Sequence, residues 1–255
     1  MGYLHEGHIS LVKKASEDND IVITSIFVNP TQFSPTEDLD AYPRDLDRDL
    51  KLLKAAGCDT VFNPVNTDIY KTGFETFISL EYLPKHLCGL SRPNHFKGVA
   101  TVVGKLFNII LPDKAYFGQK DYQQILVIKK MVRDLNFPVD IVICPIIREP
   151  DGLAMSSRNI YLKGEERKDA VLLHQGLELG VKELQSGNRD IRSIISKIIK
   201  MIEKSPHAKI DYISIVNGQT LEELESPASY HGEVLLAGAV WFGKARLIDN
   251  SLVKI

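Results

Sequence analysis

Apolar residues recur along the first half of the chain in alternating strand-like and helix-like runs. Ile21-Val22-Ile23-Thr24-Ser25-Ile26-Phe27 is β-branched and almost continuously apolar, the pattern of a parallel strand covered on both faces. Thr60–Phe62, Lys114–Phe117 and Val139–Cys144 predict three more strands, and Phe74–Leu80 a further one. Between them the spacing turns helical: Ile9, Leu11, Val12 and Ala15; Leu46, Leu50 and Leu53, stopping at Gly57; Val99, Val102, Val103, Leu106, Phe107 and Ile110; and Ile125, Ile128, Met131, Val132 and Leu135. The run after Gly98 is hydrophobic nearly all round, which predicts a helix that is deeply buried or a subunit contact.

Past Pro145–Arg148 the alternation ends. Helices are predicted over 165–185 and 190–204, the second with an isoleucine stripe at Ile191, Ile194, Ile195, Ile198 and Ile202 that reads as core. A strand at 210–216, a short helix at 221–225 and strands at 233–241 and 245–249 complete the pattern. The expectation is an α/β protein: a doubly wound parallel-sheet domain over 1–146 and a smaller α+β domain over 147–255.

Composition narrows the function. At 255 residues and 44% hydrophobic the chain buries a full core. The formal net charge of -2 excludes the basic field that drives nonspecific nucleic-acid binding, so no nucleic-acid partner is expected. Cys58, Cys88 and Cys144 are widely spaced and suit a reducing compartment. No apolar stretch approaches the roughly 20 residues of a membrane span, and His5, Glu6 and His8 interrupt any signal-peptide pattern. The expectation is a cytoplasmic protein without a membrane partner.

The candidate chemistry lies in the polar loops. Met1-Gly2-Tyr3-Leu4-His5-Glu6-Gly7-His8 places two imidazoles and several backbone N–H groups at the start of a helix expected near Ile9, a site suited to an anion. Histidines in an exposed loop also fit plain polar surface, whereas a zinc site of the H-E-x-x-H kind needs them four apart, not three. Asn29 and Gln32 follow a strand, where open α/β sheets hold ligands, or they are simply turn residues. Gly118-Gln119-Lys120-Asp121 is a second strand-to-helix turn, with a lysine suited to phosphate and an aspartate suited to ribose hydroxyls; an ordinary surface pair is the alternative. One of Gln123 and Gln124 faces the same place. Met155-Ser156-Ser157-Arg158 puts two hydroxyls beside a guanidinium, a phosphate-donor set that is also common loop chemistry.

Six motifs occur in one order: Met1–His8, Phe27-Val28-Asn29-Pro30-Thr31-Gln32-Phe33, Asp40-Ala41-Tyr42-Pro43-Arg44, Arg92-Pro93-Asn94-His95-Phe96-Lys97-Gly98-Val99, Phe117–Asp121 and Asp151–Arg158. Together with the terminal Arg246-Leu247-Ile248-Asp249-Asn250, this set closely resembles the pantothenate synthetases, the ATP-dependent pantoate–β-alanine ligases of the H-x-G-H nucleotidyltransferase superfamily. Tyr3, where alanine is common, and Gln119, where glutamate is common, depart from the pattern at positions whose side chains carry no chemistry.

The resemblance implies a Rossmann-like N-terminal domain, a smaller C-terminal lid, a homodimer, and Mg²⁺ accompanying ATP. It implies that pantoate and ATP give pantoyl adenylate and pyrophosphate, and that β-alanine then displaces AMP. ATP would contact Met1, Gly2, Tyr3, Leu4, His5, Glu6, Gly7, His8, Gly118, Gln119, Lys120, Asp121, Ile147, Met155, Ser156, Ser157 and Arg158. His5, His8, Lys120 and Arg158 would carry the catalysis, with His8 a charged donor where neighbouring phosphates favour imidazolium. Gln32, Gln124 and Asn29 would hold pantoate and border β-alanine. Family members carry a helix and a strand of roughly five to six residues ahead of the first motif, so a truncated or misassigned start is expected, with a sheet lacking a member beside Ile21–Phe27. The alternatives are another adenylyltransferase of the superfamily and a nucleotide-binding fragment without turnover.

Overall fold

A computed structural model describes residues 2–34, 39–224 and 229–255. The chain divides into two compact units, Met1–Lys85, Arg92–Gln119 and Gln123–Ile147 in the first, and His86–Ser91, Lys120–Tyr122 and Arg148–Ile255 in the second. The fold is mixed α/β, with parallel strands in the first unit and an antiparallel sheet in the second.

In the first unit α1 (Glu6–Asp18) leads to β1 (Ile23–Ser25), α2 (Leu46–Ala55), β2 (Thr60–Phe62) and the single turn α3 (Asn66–Ile69). α4 (Cys88–Ser91) belongs to the second unit. α5 (His95–Ile110), β3 (Lys114–Gly118), α6 (Tyr122–Asp134) and β4 (Asp140–Cys144) follow. Among the described residues the parallel strands form two separate ladders, β1 with β2 (Thr24 opposite Val61) and β3 with β4 (Tyr116 opposite Val142). Asn19, the C-cap of α1, donates to the Tyr116 hydroxyl (2.7 Å), which ties the end of α1 to β3.

β1 departs from the expectation of cover on both faces. Val22, Thr24 and Ile26 are buried, whereas Ile21 and Ile23 are 70% and 41% exposed. Only the face turned to Leu4, Ile9, Val12, Ala15 and Leu53 is packed, a cluster that docks the amphipathic stripe of α1 on β1. No ladder includes Phe74–Leu80 among the described residues. The Ile78 N–H is satisfied instead by the Thr101 hydroxyl on α5 (3.0 Å), so this backbone finds a helix side chain where a strand partner was expected. α5 starts four residues before Val99 and buries Phe96, Val99, Ala100, Val102, Val103 and Phe107, which assigns most of its apolar surface to the interior.

In the second unit α7 (Gly164–Asp169) and α8 (Leu172–Gln185) replace the one helix expected, with a break at the fully buried Ala170. α9 (Ile191–Ile202) starts at the Asp190 cap, whose side chain accepts from Ser193 N (3.0 Å). β5 (Ala208–Asn217), β6 (Glu233–Phe242) and β7 (Ala245–Lys254) form an antiparallel sheet in that order. Residues 221–224 are not helical, and 225 lies outside the described residues. Ile194, Ile198 and Ile202 are fully buried, confirming the isoleucine stripe as core, and each such burial contributes about 1.5–3 kcal/mol. A Cβ at Gly180 would lie 2.7 Å from both Ile198 Cδ1 and Leu236 Cδ2, so glycine there lets α8 settle between α9 and the sheet.

Candidate active site

α1 begins earlier than its apolar stripe, because the two histidines cap it. His5 is the N-cap, and its Nδ1 accepts from Gly7 N (3.1 Å). His8, three residues on, accepts through its own Nδ1 from His5 N (3.3 Å). The arrangement is a reciprocal capping box built from imidazoles, with ring centroids 3.9 Å apart. A backbone N–H only donates, so both Nδ1 atoms are acceptors and the neutral rings carry their proton on Nε2. The pair therefore offers Nε2–H donors beside the positive end of the α1 dipole. A proton added on Nδ1, as in a charged His8, would displace the backbone bond that places the ring.

The loop ahead of this cap is held from a distance. Leu4 N donates to Oδ1 of Asp49 (2.7 Å), a carboxylate 1% exposed on α2, and the Arg48 guanidinium lies 4.9 Å from the centroid of the Tyr3 ring. Tyr3 itself has φ 52°, a left-handed backbone unfavourable for a tyrosine. Gly2, Leu4, Glu6 and Gly7 complete the described part of the motif, and Met1 lies outside the described residues.

After β1, Asn29 caps a 3-10 turn, Pro30–Gln32. Asn29 is 2% exposed, and its amide is used fully inside the protein. Oδ1 accepts from the Tyr70 hydroxyl (2.8 Å) and from Thr31 Oγ1 (3.0 Å), while Nδ2 donates to Gly98 O (3.2 Å) and to Gln32 Oε1 (3.3 Å). Gln32 is thus oriented with its oxygen toward Asn29 and its Nε2 as the donor end. Burial pushes the Tyr70 phenol up, with the bonds to Thr31 and Asn29 opposing, so it remains a hydrogen-bond donor. The main chain of Gln32 is clamped as well. His95 Nδ1 lies 2.9 Å from Gln32 O and must donate to it; Nε2 then accepts from Arg92 Nη1 (3.1 Å). Gly98 allows this turn to sit against α5, since a Cβ there would overlap the Thr31 carbonyl.

Of the glutamine pair, Gln123 is buried and donates to Leu83 O (2.9 Å). Gln124 is half-buried and its side chain has no partner among the described residues, so it is the one of the two available to a ligand. Gly118 ends β3, and a Cβ built on it meets nothing within 4 Å. Gln119, Lys120 and Asp121 form a 3-10 turn, with Asp121 exposed. Ile147 is half-buried at the end of the first unit.

The second unit carries the other predicted groups. Ser156 caps the 3-10 turn Ser157–Tyr161, accepting from Arg158 N (3.3 Å) while its own hydroxyl proton remains available to donate. Met155 and Arg158 are half-buried and Ser157 is buried. Lys120, Leu153, Ser156, His174, Leu247 and Asp249 line one small cavity.

The pattern of the pantoate-beta-alanine ligase family matches residues 1–252. The chain belongs to that family. It is 54% identical over 255 residues to the pantothenate synthetase of Moorella thermoacetica, covering 100% of this chain and 89% of that protein. The identity to the Acetivibrio thermocellus pantothenate synthetase is also 54%, covering 100% and 90%. A crystal structure of pantothenate synthetase from Thermus thermophilus superposes with a TM-score of 0.94 at 44% identity, covering 98% of this chain and 90% of that one. The Francisella tularensis pantoate-beta-alanine ligase, complexed with beta-gamma ATP and beta-alanine, superposes with a TM-score of 0.79 at 38% identity, covering 99% and 87%.

The protein is thus a ligase, and its reaction is the ATP-dependent joining of pantoate to β-alanine read from the ordered motifs. Its structure adds two residues outside the motifs, Asp49 behind Leu4 and Tyr70 behind Asn29, and gives Arg92 and His95 of the fourth motif a contact that sequence had not assigned, the main chain of Gln32. Asp49 left a readable trace, a carboxylate three residues after Leu46 and four before Leu53, on the apolar stripe of α2. Tyr70 left none, since a tyrosine after a short helix has no periodicity to break.

Proposed function

We propose that the ligase forms pantoyl adenylate by in-line attack of a pantoate carboxylate oxygen on the α-phosphorus of ATP. The Pα–O bond to the β-phosphate breaks and pyrophosphate departs; the amine of β-alanine then attacks the activated acyl carbon and AMP leaves. Catalysis of the first step is positioning and charge stabilisation. His5 and His8 donate through Nε2 to phosphate oxygens, and Lys120, Ser156, Ser157 and Arg158 supply the remaining donors. Gln32 and Gln124 orient pantoate with neutral amides, which fix a carboxylate without quenching its nucleophilicity. Asn29 acts through Gln32, whose Oε1 it holds.

The observation that carries this reading is the reciprocal Nδ1 capping of His5 and His8, which sets two Nε2 donors at one helix N-terminus. Mg²⁺ fits as an ion carried on the ATP phosphates, where it would neutralise charge on the departing pyrophosphate. Magnesium characteristically binds substrate phosphates with few protein ligands, and no cluster of three His, Cys, Asp or Glu side chains poised for a metal exists among the described residues. We place the enzyme in the cytoplasm, which the wide spacing of Cys58, Cys88 and Cys144 suits, and as a homodimer, for which the exposed Ile109 and Leu111 at the end of α5 are the candidate contact.

The test is pantoate-dependent ATP–pyrophosphate exchange in His8→Ala. A loss of roughly 10²–10³ is expected, the scale for one preorganised transition-state donor. Unchanged exchange would remove His8 from the mechanism. Pyrophosphate release that depended on a phosphate monoester instead of pantoate would replace the ligase reading with another adenylyl transfer.

A further inference from the structure

The terminal strand β7 carries two buried polar residues in succession, Asp249 and Asn250, each 4% exposed. Successive strand residues face opposite sides of a sheet, so the two reach different neighbours. Asn250 Nδ2 donates to the main-chain carbonyl of Lys120 (2.9 Å). Two residues on, the Tyr122 hydroxyl donates to Gly218 O (3.0 Å), so the Lys120–Tyr122 segment is pinned at both ends within the second unit. Asp249 takes a bidentate bond from Arg148 (Nη1 2.6 Å, Nη2 3.0 Å) and accepts from Asn250 N (2.8 Å). Arg148 in turn donates to Gly152 O (3.1 Å), closing the turn from which the chain runs into Ser156. One dipeptide therefore fastens the backbone of Lys120 and the turn that leads to the serine pair.

A buried amide and a buried carboxylate cost stability unless every polar atom is satisfied, and an apolar pair would fill a sheet position at no such cost. Between Leu247 and Val253, both buried in this core, such a pair would serve stability alone. We propose that Asn250 is a positioning residue for Lys120, holding the main chain from which the ε-ammonium reaches the nucleotide phosphates. The proposal rests on the reading of Lys120 as a phosphate donor.

A double-mutant cycle on the full chain tests it, with Asn250→Ala, Lys120→Ala and the pair, all measured by pantoate-dependent ATP–pyrophosphate exchange. Asn250→Ala is expected to lower kcat about tenfold, the scale of a small displacement of a catalytic group, and less than about twofold when Lys120 is already alanine. The same factor in both backgrounds would make Asn250 merely structural and overturn the proposal, as would full activity of Asn250→Ala. Full activity of Lys120→Ala would instead overturn the phosphate role of Lys120. If Asn250→Ala unfolds at the assay temperature, Asn250→Leu runs the same cycle: it fills the volume without adding a charge and removes the donor to the Lys120 carbonyl, so the same two outcomes decide.

Discussion

β6 and β1 both lie in apolar runs of the sequence, and they are built differently. β6 has ten residues, eight of them buried, and sits between two partners; β1 has three residues, one of them buried, and pairs with β2. The second unit accordingly rests on a continuous core, with the turns that carry its candidate groups tethered by hydrogen bonds to β7. In the first unit the predicted site groups are set by capping and by single long-range hydrogen bonds: His5 by Gly7, Leu4 by Asp49, Gln32 by Asn29 and His95. Order around the candidate groups of the first unit comes from polar bonds, and order in the core of the second unit comes from packing. Changes to packing should therefore cost stability more than chemistry, and changes to the polar bonds should do the reverse.

The largest effect on stability is expected from Ile198→Ala. Ile198 is fully buried and packs against Gly176 and Gly180 of α8. The deletion should cost about 2–5 kcal/mol in denaturant unfolding, as for other large-to-small core changes, while the KM for ATP at low temperature stays unchanged. A loss under about 1 kcal/mol would mean that the α8–α9 seam collapses around the void, and the contrast between the units would weaken.

Asp49→Ala should act in the opposite sense. It leaves the Leu4 N–H buried without its partner, a cost of about 1–3 kcal/mol, and releases the left-handed Tyr3 and the loop entering the histidine cap. The KM for ATP should rise further than the stability loss alone would suggest. Hydrogen exchange localised to residues 2–8 is the second measurement; protection there equal to the parent would show that the capping box stands without Asp49.

How much of this could be read beforehand follows the same division. The isoleucine stripe of α9 and the strands at Val139–Cys144 and 245–249 were legible because periodic burial writes itself into the sequence every two or three to four positions. The ordered motifs were legible for another reason, as a resemblance, and they named His5, His8, Gln32 and Lys120 without saying what holds them. The holding bonds join residues far apart, Leu4 to Asp49 and Asn29 to Gly98, and a single hydrogen bond between distant residues has no period. The strand expected at Phe74–Leu80 failed on that ground: its apolar residues suggested a ladder, and a hydroxyl on α5 took the Ile78 N–H instead. The tautomers of His5 and His8 were likewise beyond reach, since they follow from which ring nitrogen meets a backbone N–H.

The smallest effect expected is a pH dependence confined to the second unit. His174 on α8 faces Asp249 (3.7 Å from Nδ1), Arg148 and Glu178. Burial lowers its pKa most and the Arg148 charge adds to that, while Asp249 and Glu178 act the other way, and the net direction is down from 6.5. The folded state therefore takes up this proton at lower pH than the unfolded chain does, so the associated stability is complete above about 6.5 and is lost as pH falls below it. The carboxylate of Asp151, held below its ordinary value by the hydrogen bond from Arg167, gives up its contribution only under more acid conditions, below 3.8. The two windows separate cleanly. Denaturant unfolding between pH 7 and pH 5 should show a shallow fall in the parent that flattens in His174→Gln. The same slope in both proteins would assign the fall to groups other than His174. A fall accompanied by a matching rise in the KM for ATP would show that the proton on His174 also disturbs the Arg148–Asp249 pair and the turn it closes, so that core and polar tethers of the second unit respond together, the outcome that most directly breaks the contrast.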